Sequence, residues 1–361
     1  MKILVMESGS FKTFGGAAKA TYDMYRYLKR QKGYNVEVFA DYSRIDPDVK
    51  SVAAEKLGGG YDIVMINSIR DVPFISKYII GKGRQPKFIY TDRGNVLLNF
   101  SNSGIKKLLP KMLLRQHFMH EMRKWLDCYV AISAEQCENA RMFFGKRTRI
   151  EYVPIAPNKV FKNTGERRSM EGAIYVGRLD ERQKKVSFLI RGMERARKLG
   201  GLDGKRLISI IGTGPHEERY RKLVSDFALE GNVRFEGYVD EERLVRIYNT
   251  APFFVSASEW EGMSRTFVEA MACGLPLLVN TKNDTVVSYR PRRHIVKDGY
   301  NGLVYEYGNL EDFARKFIRL YKDSDLRKRL SKNALSYSKD FDADRNMESY
   351  MRIINGLRSK R

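Results

Sequence analysis

The fold is decided by the stretch Ser256-Ala-Ser-Glu-Trp-Glu-Gly-Met-Ser-Arg-Thr-Phe-Val-Glu-Ala-Met-Ala-Cys-Gly-Leu-Pro276. The apolar residues 251–255, which directly precede this stretch, predict a buried strand, and residues 265–273 have the composition of a helix. Ser264 is a candidate N-cap for this helix, and Gly274 predicts its end. Because strand, loop and helix N-terminus follow in sequence, backbone amides and the positive end of the helix dipole favour an anionic ligand.

Two glutamates frame this helix start. Glu261 lies in the loop and Glu269 in the helix, so both carboxylates could face one ligand and accept hydrogen bonds from its hydroxyls. The spacing alone is weak, because two such glutamates also occur on exposed helix faces. Strand, Glu-Gly pair, helix and Gly-x-Pro ending together favour a binding site. Four backbone amides could hold phosphate there: those of Met263, Ser264, Arg265 and Thr266.

This segment resembles the signature of the retaining, nucleotide-sugar-dependent glycosyltransferases of the GT-B fold, the glycogen-synthase-like and mannosyltransferase-like group 1 (family four). Glu261-Gly262 and the run from Glu269 to Pro276 carry the resemblance, which extends over nearly the whole chain. It implies an α/β protein of two doubly wound, Rossmann-like domains facing each other across a cleft. The implied parts are an N-terminal acceptor-binding domain at 1–165, a C-terminal nucleotide-sugar-binding domain at 166–338, and a final helix at 339–361 that packs back on the first domain.

The composition narrows the compartment and the partners. The chain has 361 residues, three cysteines and a formal net charge of +23. No apolar run reaches the ~20 residues of a membrane-spanning helix, and the cysteines lack paired spacing, so we expect a cytoplasmic protein, including the inner face of the membrane. The charge predicts an anionic partner: a membrane surface, a phosphorylated substrate or nucleic acid.

The first residues predict the opening of a doubly wound parallel sheet. A strand over 2–6, a glycine pair, a helix over 17–32 and a strand over 35–40 follow in order. The Gly-x-Gly-x-x-Gly spacing of dinucleotide-binding proteins is missing, so nothing supports NAD binding. The resemblance implies that Gly15 and Gly16 let the backbone approach the donor phosphates and sugar, and a simple tight turn is the alternative.

Arg93 departs from the family pattern. The family carries a Thr-x-His-Gly sequence after the predicted strand 87–91, whereas this chain has Thr91-Asp92-Arg93-Gly94. A guanidinium is a fixed cation and cannot imitate a neutral imidazole. We expect Arg93 to stabilise a phosphate leaving group or bind an anionic acceptor, and Asp92 to hydrogen-bond a sugar hydroxyl. A salt bridge within the loop is the structural alternative.

The second half supplies two further cations. Arg178 and Lys184 follow the predicted strand at 173–176 and could clamp a diphosphate leaving group. The resemblance implies this role for both, with Lys185 as the neighbouring alternative because the usual Lys-Gly of the family is Lys-Lys here. It also implies that the strand end at Tyr238 and Val239 packs against the nucleotide base. Residues 155–172 are predicted to form a linker, and residues 310–337 a helical stretch.

The predicted helix 110–126 has a basic arc and an apolar arc. Its apolar arc includes Met119, Met122 and Trp125, whereas Phe118 lies among the basic residues of the other arc. Basic and apolar side chains on one face are typical of a helix that lies on an anionic membrane. A core helix with a solvated basic back remains equally open.

The resulting expectation is a retaining hexosyltransferase that uses a UDP- or GDP-sugar and an anionic lipid-linked or cell-surface glycan acceptor. The resemblance implies metal-independent transfer without a cofactor, with cations in place of magnesium, and Glu261 touching the transferred sugar. Aspartates at 340–344 favour helix capping over a metal site. Two alternatives stay open: a sugar-nucleotide epimerase of the same fold, and a non-catalytic protein that binds nucleic acid or another anionic surface.

Overall fold

The chain folds into two compact units. The computed structural model describes residues 1–11, 16–43, 46–93, 109–200, 202, 205–261, 263–282 and 295–358. The first unit comprises Met1–Pro154 and Asp344–Arg361, and the second comprises Ile155–Ala343. The divisions therefore lie at 154/155 and 343/344, where the sequence places them at 165/166 and 338/339.

The first unit is built on a parallel sheet of six strands in the order β2-β1-β3-β4-β5-β6. Its strands are β1 (Lys2–Glu7), β2 (Asn35–Ala40), β3 (Ile63–Ile66), β4 (Lys87–Asp92), β5 (Cys128–Ala131) and β6 (Arg149–Tyr152). The strands β1, β3, β4 and β5 are almost wholly buried, because a parallel sheet is covered by helices on both faces.

Helices cover both faces of this sheet. They are α1 (Gly16–Lys29), α2 (Val72–Tyr78), α3 (Leu109–Trp125), α4 (Ala134–Phe144) and α11 (Ala343–Arg358). The C-terminal helix α11 buries Tyr350, Ile353 and Leu357 in the same apolar cluster as Ile3 of β1. The other face carries a second cluster that contains Met119 and Met122 of α3.

The second unit repeats the architecture, with six parallel strands in the order β12-β11-β10-β7-β8-β9. These are β7 (Ala173–Val176), β8 (Ile208–Ile211), β9 (Val233–Gly237), β10 (Phe254–Val255), β11 (Leu277–Asn280) and β12 (Gly302–Tyr305). The strand order reverses between β7 and β10, which makes their adjacent carboxyl ends the topological switch point of this sheet.

The helices of the second unit include the one bracketed by Ser264 and Gly274. They are α5 (Val186–Gly200), α6 (Glu217–Asp226), α7 (Glu241–Thr250), α8 (Arg265–Ala272), α9 (Leu310–Lys322) and α10 (Ser324–Ser338). The predicted helical stretch 310–337 is two helices, because the Asp323 side chain accepts a hydrogen bond from the Leu326 amide at 2.8 Å and caps a new helix. Gly274 has a φ of +77°, as expected where a helix ends.

The predicted fold class is confirmed: both units are α/β, each with a doubly wound parallel sheet. The segment 155–172, predicted as a linker, packs on the second unit through the buried ring of Phe161, whose centroid lies 5.7 Å from that of Tyr248. Arg168 donates hydrogen bonds of 2.6–2.7 Å to the carbonyls of Tyr248, Asn249 and Cys273 at the ends of α7 and α8. No described helix combines the length and apolar character needed to cross a bilayer.

Candidate functional site

Three predicted site residues meet at the switch point of the second unit. Arg178 and Lys184 lie in the loop after β7, and Glu261 lies in the loop after β10. Ligands of open α/β sheets bind at such a point, outside the carboxyl ends of the strands. Glycines allow the loops to approach closely: Gly212 has a φ of +126°, and a Cβ there would overlap the carbonyl oxygen of Gly177.

The centre of this site is an ion pair between Lys184 Nζ and Glu261 Oε1. The two side chains are only 18% and 10% exposed, so the charges interact across a poorly hydrated region. Their loops are joined by two hydrogen bonds, from the Glu259 amide to the Gln183 carbonyl at 2.8 Å and from Gln183 Nε2 to the Trp260 carbonyl at 3.1 Å. The backbone therefore fixes both partners of the pair.

Arg178 offers a second, more accessible cation. Its guanidinium lies 2.7 Å from the carboxylate of Asp180, which also accepts a hydrogen bond of 2.7 Å from the Arg182 amide. Asp180 thus orients Arg178 while leaving it half exposed. The predicted pair of cations is present at one edge of the sheet, and each cation has its own acidic partner.

The N-terminus of α8 lies in the same loop. Ser264 occupies the N-cap position, but its side chain makes no capping hydrogen bond and lies 3.1 Å from Thr266 Oγ1. The buried Met263 sulfur accepts a hydrogen bond from the Ile155 amide at 3.1 Å. Gly262 lies outside the described residues. A helix start whose cap residue leaves its amides to other acceptors suits an anionic ligand.

Glu269 lies inside α8 beside an internal cation. Arg265 Nε donates to its carboxylate at 2.9 Å, and these side chains are 10% and 6% exposed. The Tyr248 hydroxyl donates to the other carboxylate oxygen at 3.5 Å, and burial holds the pKa of Tyr248 well above its usual range. Arg265 is thus a side-chain partner of Glu269, in addition to the backbone role that the sequence predicts for it.

The end of β9 presents one buried and one exposed side chain. Val239, predicted to pack against a base, is buried, whereas the neighbouring Tyr238 is 79% exposed. The Gly212 amide donates to the Gly237 carbonyl at 2.8 Å, which ties this strand end to the loop after β8. Tyr238, the other residue that the resemblance places against the base, therefore offers an aromatic surface at the same edge of the sheet.

The first unit carries a polar cluster at the carboxyl ends of β1, β3 and β4. Glu7 ends β1, Asp71 follows β3 and Arg93 follows β4. Asp71 accepts hydrogen bonds from the amides of Ser8 at 2.8 Å and Ser68 at 3.1 Å. Glu7 and Asp71 are both buried, and sequence reasoning missed them although an acidic residue that ends an apolar strand is a readable signal.

The charges of this cluster are coupled. Burial and, to a lesser extent, nearby Asp71 raise the pKa of Glu7 to about 8, with Arg93 partly offsetting both. Burial also raises the pKa of Asp71 to about 6, against the hydrogen bonds from Ser8 and Ser68. Glu7 therefore holds a proton at neutral pH. Arg93 is half-buried, and its Nε has no hydrogen-bond partner within the part of the chain that the structure describes.

The remaining predicted positions of the first unit lie less favourably. The expectation that Asp92 contacts a sugar is not met, because Asp92 is fully buried and accepts a hydrogen bond from the Tyr129 hydroxyl at 2.5 Å. Gly16 is the first residue of α1 and is exposed, while Gly15 lies outside the described residues.

Helix α3 contributes to the core of the first unit. Met119 and Met122 are fully buried, and Phe118 packs against the same cluster rather than lying on the basic arc. Arg123 and Lys124 are exposed. The described ranges contain no group of three His, Cys, Asp or Glu side chains that could hold a metal ion.

Comparisons with known proteins agree with this architecture. The family model of glycosyl transferases group 1 matches residues 158–337, which span the second unit almost completely. An uncharacterized glycosyltransferase of Methanocaldococcus jannaschii is 28% identical over 185 residues, or 51% of this chain and 44% of the relative. The poly(glycerol-phosphate) alpha-glucosyltransferase of Bacillus subtilis is 24% identical over 246 residues, or 64% of this chain and 33% of the relative. The chain thus matches less than half the length of these relatives.

The fold has a close structural counterpart. The sucrose-phosphate synthase from Thermosynechococcus elongatus superposes with a TM-score of 0.80 at 17% sequence identity, with both chains covered in full. At this identity the likeness shows the fold alone, that of GT-B glycosyltransferases. The resemblance carried by Glu261 and Glu269 is confirmed, because both residues lie within the stretch 158–337 that matches the model of glycosyl transferases group 1.

Proposed function

We propose that this chain is a retaining glycosyltransferase that moves a hexose-type sugar from a UDP- or GDP-sugar to an anionic lipid-linked or cell-surface glycan. The observation that carries the proposal is the partly buried Lys184–Glu261 ion pair at the switch point, with Glu261 in the same loop as the N-terminus of α8. The pair provides a cation for phosphate and a carboxylate for sugar hydroxyls within one short contact.

The leaving group explains why cations are needed there. Cleavage of the donor glycosidic bond leaves negative charge on the nucleoside diphosphate, and fixed positive charges at that point lower the barrier. An ammonium has three donors, so Lys184 can keep Glu261 and still donate to a phosphate oxygen. Arg178 supplies a second donor group, and the amides at the start of α8 supply the remainder. This set performs the charge neutralisation that a magnesium ion performs elsewhere, so we propose metal-independent transfer.

The other side chains of the second unit would hold the nucleoside. Glu269 accepts from the ribose hydroxyls, and the ion pair with Arg265 orients it. The base packs on Val239, beside the exposed ring of Tyr238. Gly262 and the amides of 263–266 approach the phosphates.

The first unit would hold the acceptor. Arg93 is a fixed cation whose Nε is buried without a hydrogen-bond partner among the described residues, which suits a phosphate or carboxylate group of the acceptor. The name of the Bacillus subtilis relative, a poly(glycerol-phosphate) alpha-glucosyltransferase, supports a phosphate-bearing acceptor. The net charge of +23 supports the same class.

We also propose that the helix at 110–126 contacts anionic lipid from the cytoplasmic side. Arg123 and Lys124 are exposed along α3, while its apolar side chains at 118, 119 and 122 pack inward. In the C-terminal half of α3, the contact with lipid is therefore electrostatic. The affinity for anionic lipid should fall steeply as salt is added. Sedimentation with vesicles of anionic or neutral lipid at low and high salt tests it, and equal sedimentation with both lipids would contradict it.

Transfer itself is tested with labelled UDP- and GDP-sugars and poly(glycerol phosphate) as acceptor, in the presence of a metal chelator. The proposal predicts labelled polymer with an α-linked sugar from an α-linked donor. Release or isomerisation of the donor sugar in the absence of any acceptor would instead favour the epimerase. Transfer that requires an added divalent metal would overturn the metal-independent mechanism.

A further inference from the structure

A cavity distinct from the Lys184–Glu261 pair lies at the carboxyl edge of the sheet in the second unit. It has a volume of about 330 Å³ and is lined by residues of the loops after β7, β10 and β12 and of the first turns of α5. Neither Lys184 nor Glu261 lines it. Its volume falls in the range of about 300–1,000 Å³ that small-molecule pockets occupy.

Two neighbouring lysines of one loop pair with two different glutamates of another loop, and only the second lysine lines the cavity. Lys184 pairs with Glu261, whereas the next residue, Lys185, pairs with Glu259 at 3.3 Å and lines this cavity. Lys185 has a φ of +49°, a left-handed backbone conformation that residues other than glycine rarely adopt. A glycine would adopt this φ without strain, but only a lysine brings an ammonium group to the cavity.

The rim of this cavity is cationic. Glu259 is shared by two ammonium groups, those of Lys185 at 3.3 Å and Lys282 at 2.7 Å. Burial raises the pKa of Glu259, but the two lysines outweigh it and hold the pKa below its usual value. Arg191, on α5, adds a guanidinium that has no acidic partner among the residues that the structure describes. The rim therefore carries more positive than negative charge.

The lining also contains one carboxylate, and that carboxylate is already engaged. Glu181 accepts hydrogen bonds from the Ser187 hydroxyl at 2.6 Å, the Ser187 amide at 3.3 Å and the Tyr220 hydroxyl at 3.0 Å. These three hydrogen bonds fix the orientation of the carboxylate. It can still accept one bond from a ligand hydroxyl.

The wall of the cavity is aromatic. The half-buried ring of Phe188 lies on the buried ring of Tyr305, with centroids 5.6 Å apart and planes inclined by 8°. The Tyr305 hydroxyl donates to the Ser256 carbonyl at 3.0 Å, so Tyr305 fixes the position of the Phe188 ring. Tyr307, which also lines the cavity, is 37% exposed, and Lys282 Nζ lies 4.6 Å from its ring centroid. Rigid aromatic surfaces beside hydrogen-bonding groups suit the apolar face of a sugar ring, and the cations suit a phosphate.

We propose that this cavity is a second ligand site, separate from the donor site, that binds a sugar bearing a phosphate group. Lys185 and Arg191 bind the phosphate, and the aromatic wall with Glu181 binds the sugar. A free sugar phosphate and a glycosylated unit of a phosphate-bearing chain share this chemistry. The second source rests on the proposed function, because it makes the site an acceptor subsite.

Isothermal titration of the full chain tests the site with four titrants: glucose 6-phosphate, glucose, inorganic phosphate and an oligomer of glucosylated glycerol phosphate. The variants are Arg191→Gln and Lys185→Gly. The matched control is Arg195→Gln, because Arg195 lies on the same helix and pairs with Glu311 at 2.6 Å, outside the cavity.

Binding of glucose 6-phosphate or of the oligomer that is tighter than that of glucose or phosphate, and that falls about tenfold or more in both variants but not in the control, supports the site. Which of the two titrants binds identifies the source. Binding of neither, or binding unchanged in both variants, overturns the proposal. Displacement of the titrant by UDP also overturns it, because the ligand would then occupy the donor site. If UDP and GDP fail to bind while glucose 6-phosphate binds through Arg191, the proposed function fails and the second site stands.

Discussion

Lys184 and Glu261 form a partly buried ion pair although they lie 77 positions apart in the chain. They meet because the sheet order places β7 next to β10, and each residue lies in the loop that leaves one of these strands. A cation and a carboxylate are thereby fixed where ligands of this fold class bind.

Removing the charge of Lys184 should impair transfer. Lys184→Gln should lower kcat by about 10²–10³, the effect of removing one fixed group that stabilises developing charge. The assay is the transfer reaction at saturating donor. The control is Lys198→Gln, because Lys198 forms an exposed pair with Glu194 on α5. A Lys184→Gln enzyme as active as the control would show that the pair is structural.

Breaking the Arg265–Glu269 pair should destabilise the protein. Arg265→Met leaves a carboxylate that is 6% exposed without its main cation, which typically costs about 3–5 kcal/mol of unfolding free energy. The double variant Arg265→Met with Glu269→Gln should recover a large part of this loss. Urea denaturation measures both. Losses that simply add would mean that the pair contributes no coupling.

The backbone at Lys185 predicts an ordering of two variants. Lys185→Ala and Lys185→Gly both remove the ion pair with Glu259, but only glycine adopts a φ of +49° without steric cost. The glycine variant should be more stable than the alanine variant by about 1 kcal/mol, since a left-handed residue with a Cβ costs about 1–2 kcal/mol. Thermal unfolding of the two proteins side by side gives the comparison. An alanine variant of equal or greater stability would argue against the left-handed conformation.

Glu7 predicts a pH dependence of stability. Its pKa is about 8 in the native protein against an ordinary 4.5, so between these values the native state holds a proton that the unfolded chain has released. Stability from this group is therefore complete below pH about 4.5 and falls as pH rises towards 8, by at most about 1.4 kcal/mol per pH unit. Glu7→Gln should remove this contribution.

The measurement is urea unfolding of the wild type and Glu7→Gln at pH 5, 6, 7 and 8, with the exposed Glu55→Gln as control. The free energies of Glu7→Gln and the wild type should diverge in favour of the variant as pH rises. Asp71, with a pKa of about 6, titrates in both proteins, and its interaction with Glu7 is part of the difference between them. Parallel curves would mean that Glu7 ionises normally.

Local sequence was sufficient for much of the second unit. The bounds of α8 follow from Ser264 and Gly274. The expected residues Arg178, Lys184 and Glu261 lie in the loops after β7 and β10, and Glu269 lies in α8. Local patterns could not say that Lys184 pairs with Glu261 and Lys185 with Glu259, because those partners depend on which strands are neighbours.

Other features of the first unit were equally inaccessible. Phe118 seemed to belong to a basic arc because helical periodicity fixes an angle around the axis but not the width of the face that the core covers. Asp92 lies at the end of an apolar strand, where site residues are common. Its carboxylate is nevertheless buried and accepts a hydrogen bond from the Tyr129 hydroxyl, a partner that the local sequence does not reveal. Glu7 shares its environment with Asp71 and Arg93, which come from two other strands.

The most direct test of the account is calorimetric binding of UDP-, GDP- and ADP-sugars to the wild type and to Glu269→Gln, without added metal. The exposed Glu242→Gln, also in the second unit, serves as control. The account predicts that a UDP- or GDP-sugar binds the wild type and the control, and that Glu269→Gln weakens this binding about tenfold or more, as expected for lost hydrogen bonds to a charged acceptor. Absence of binding by every nucleotide sugar, or binding that Glu269→Gln leaves unchanged, would contradict it.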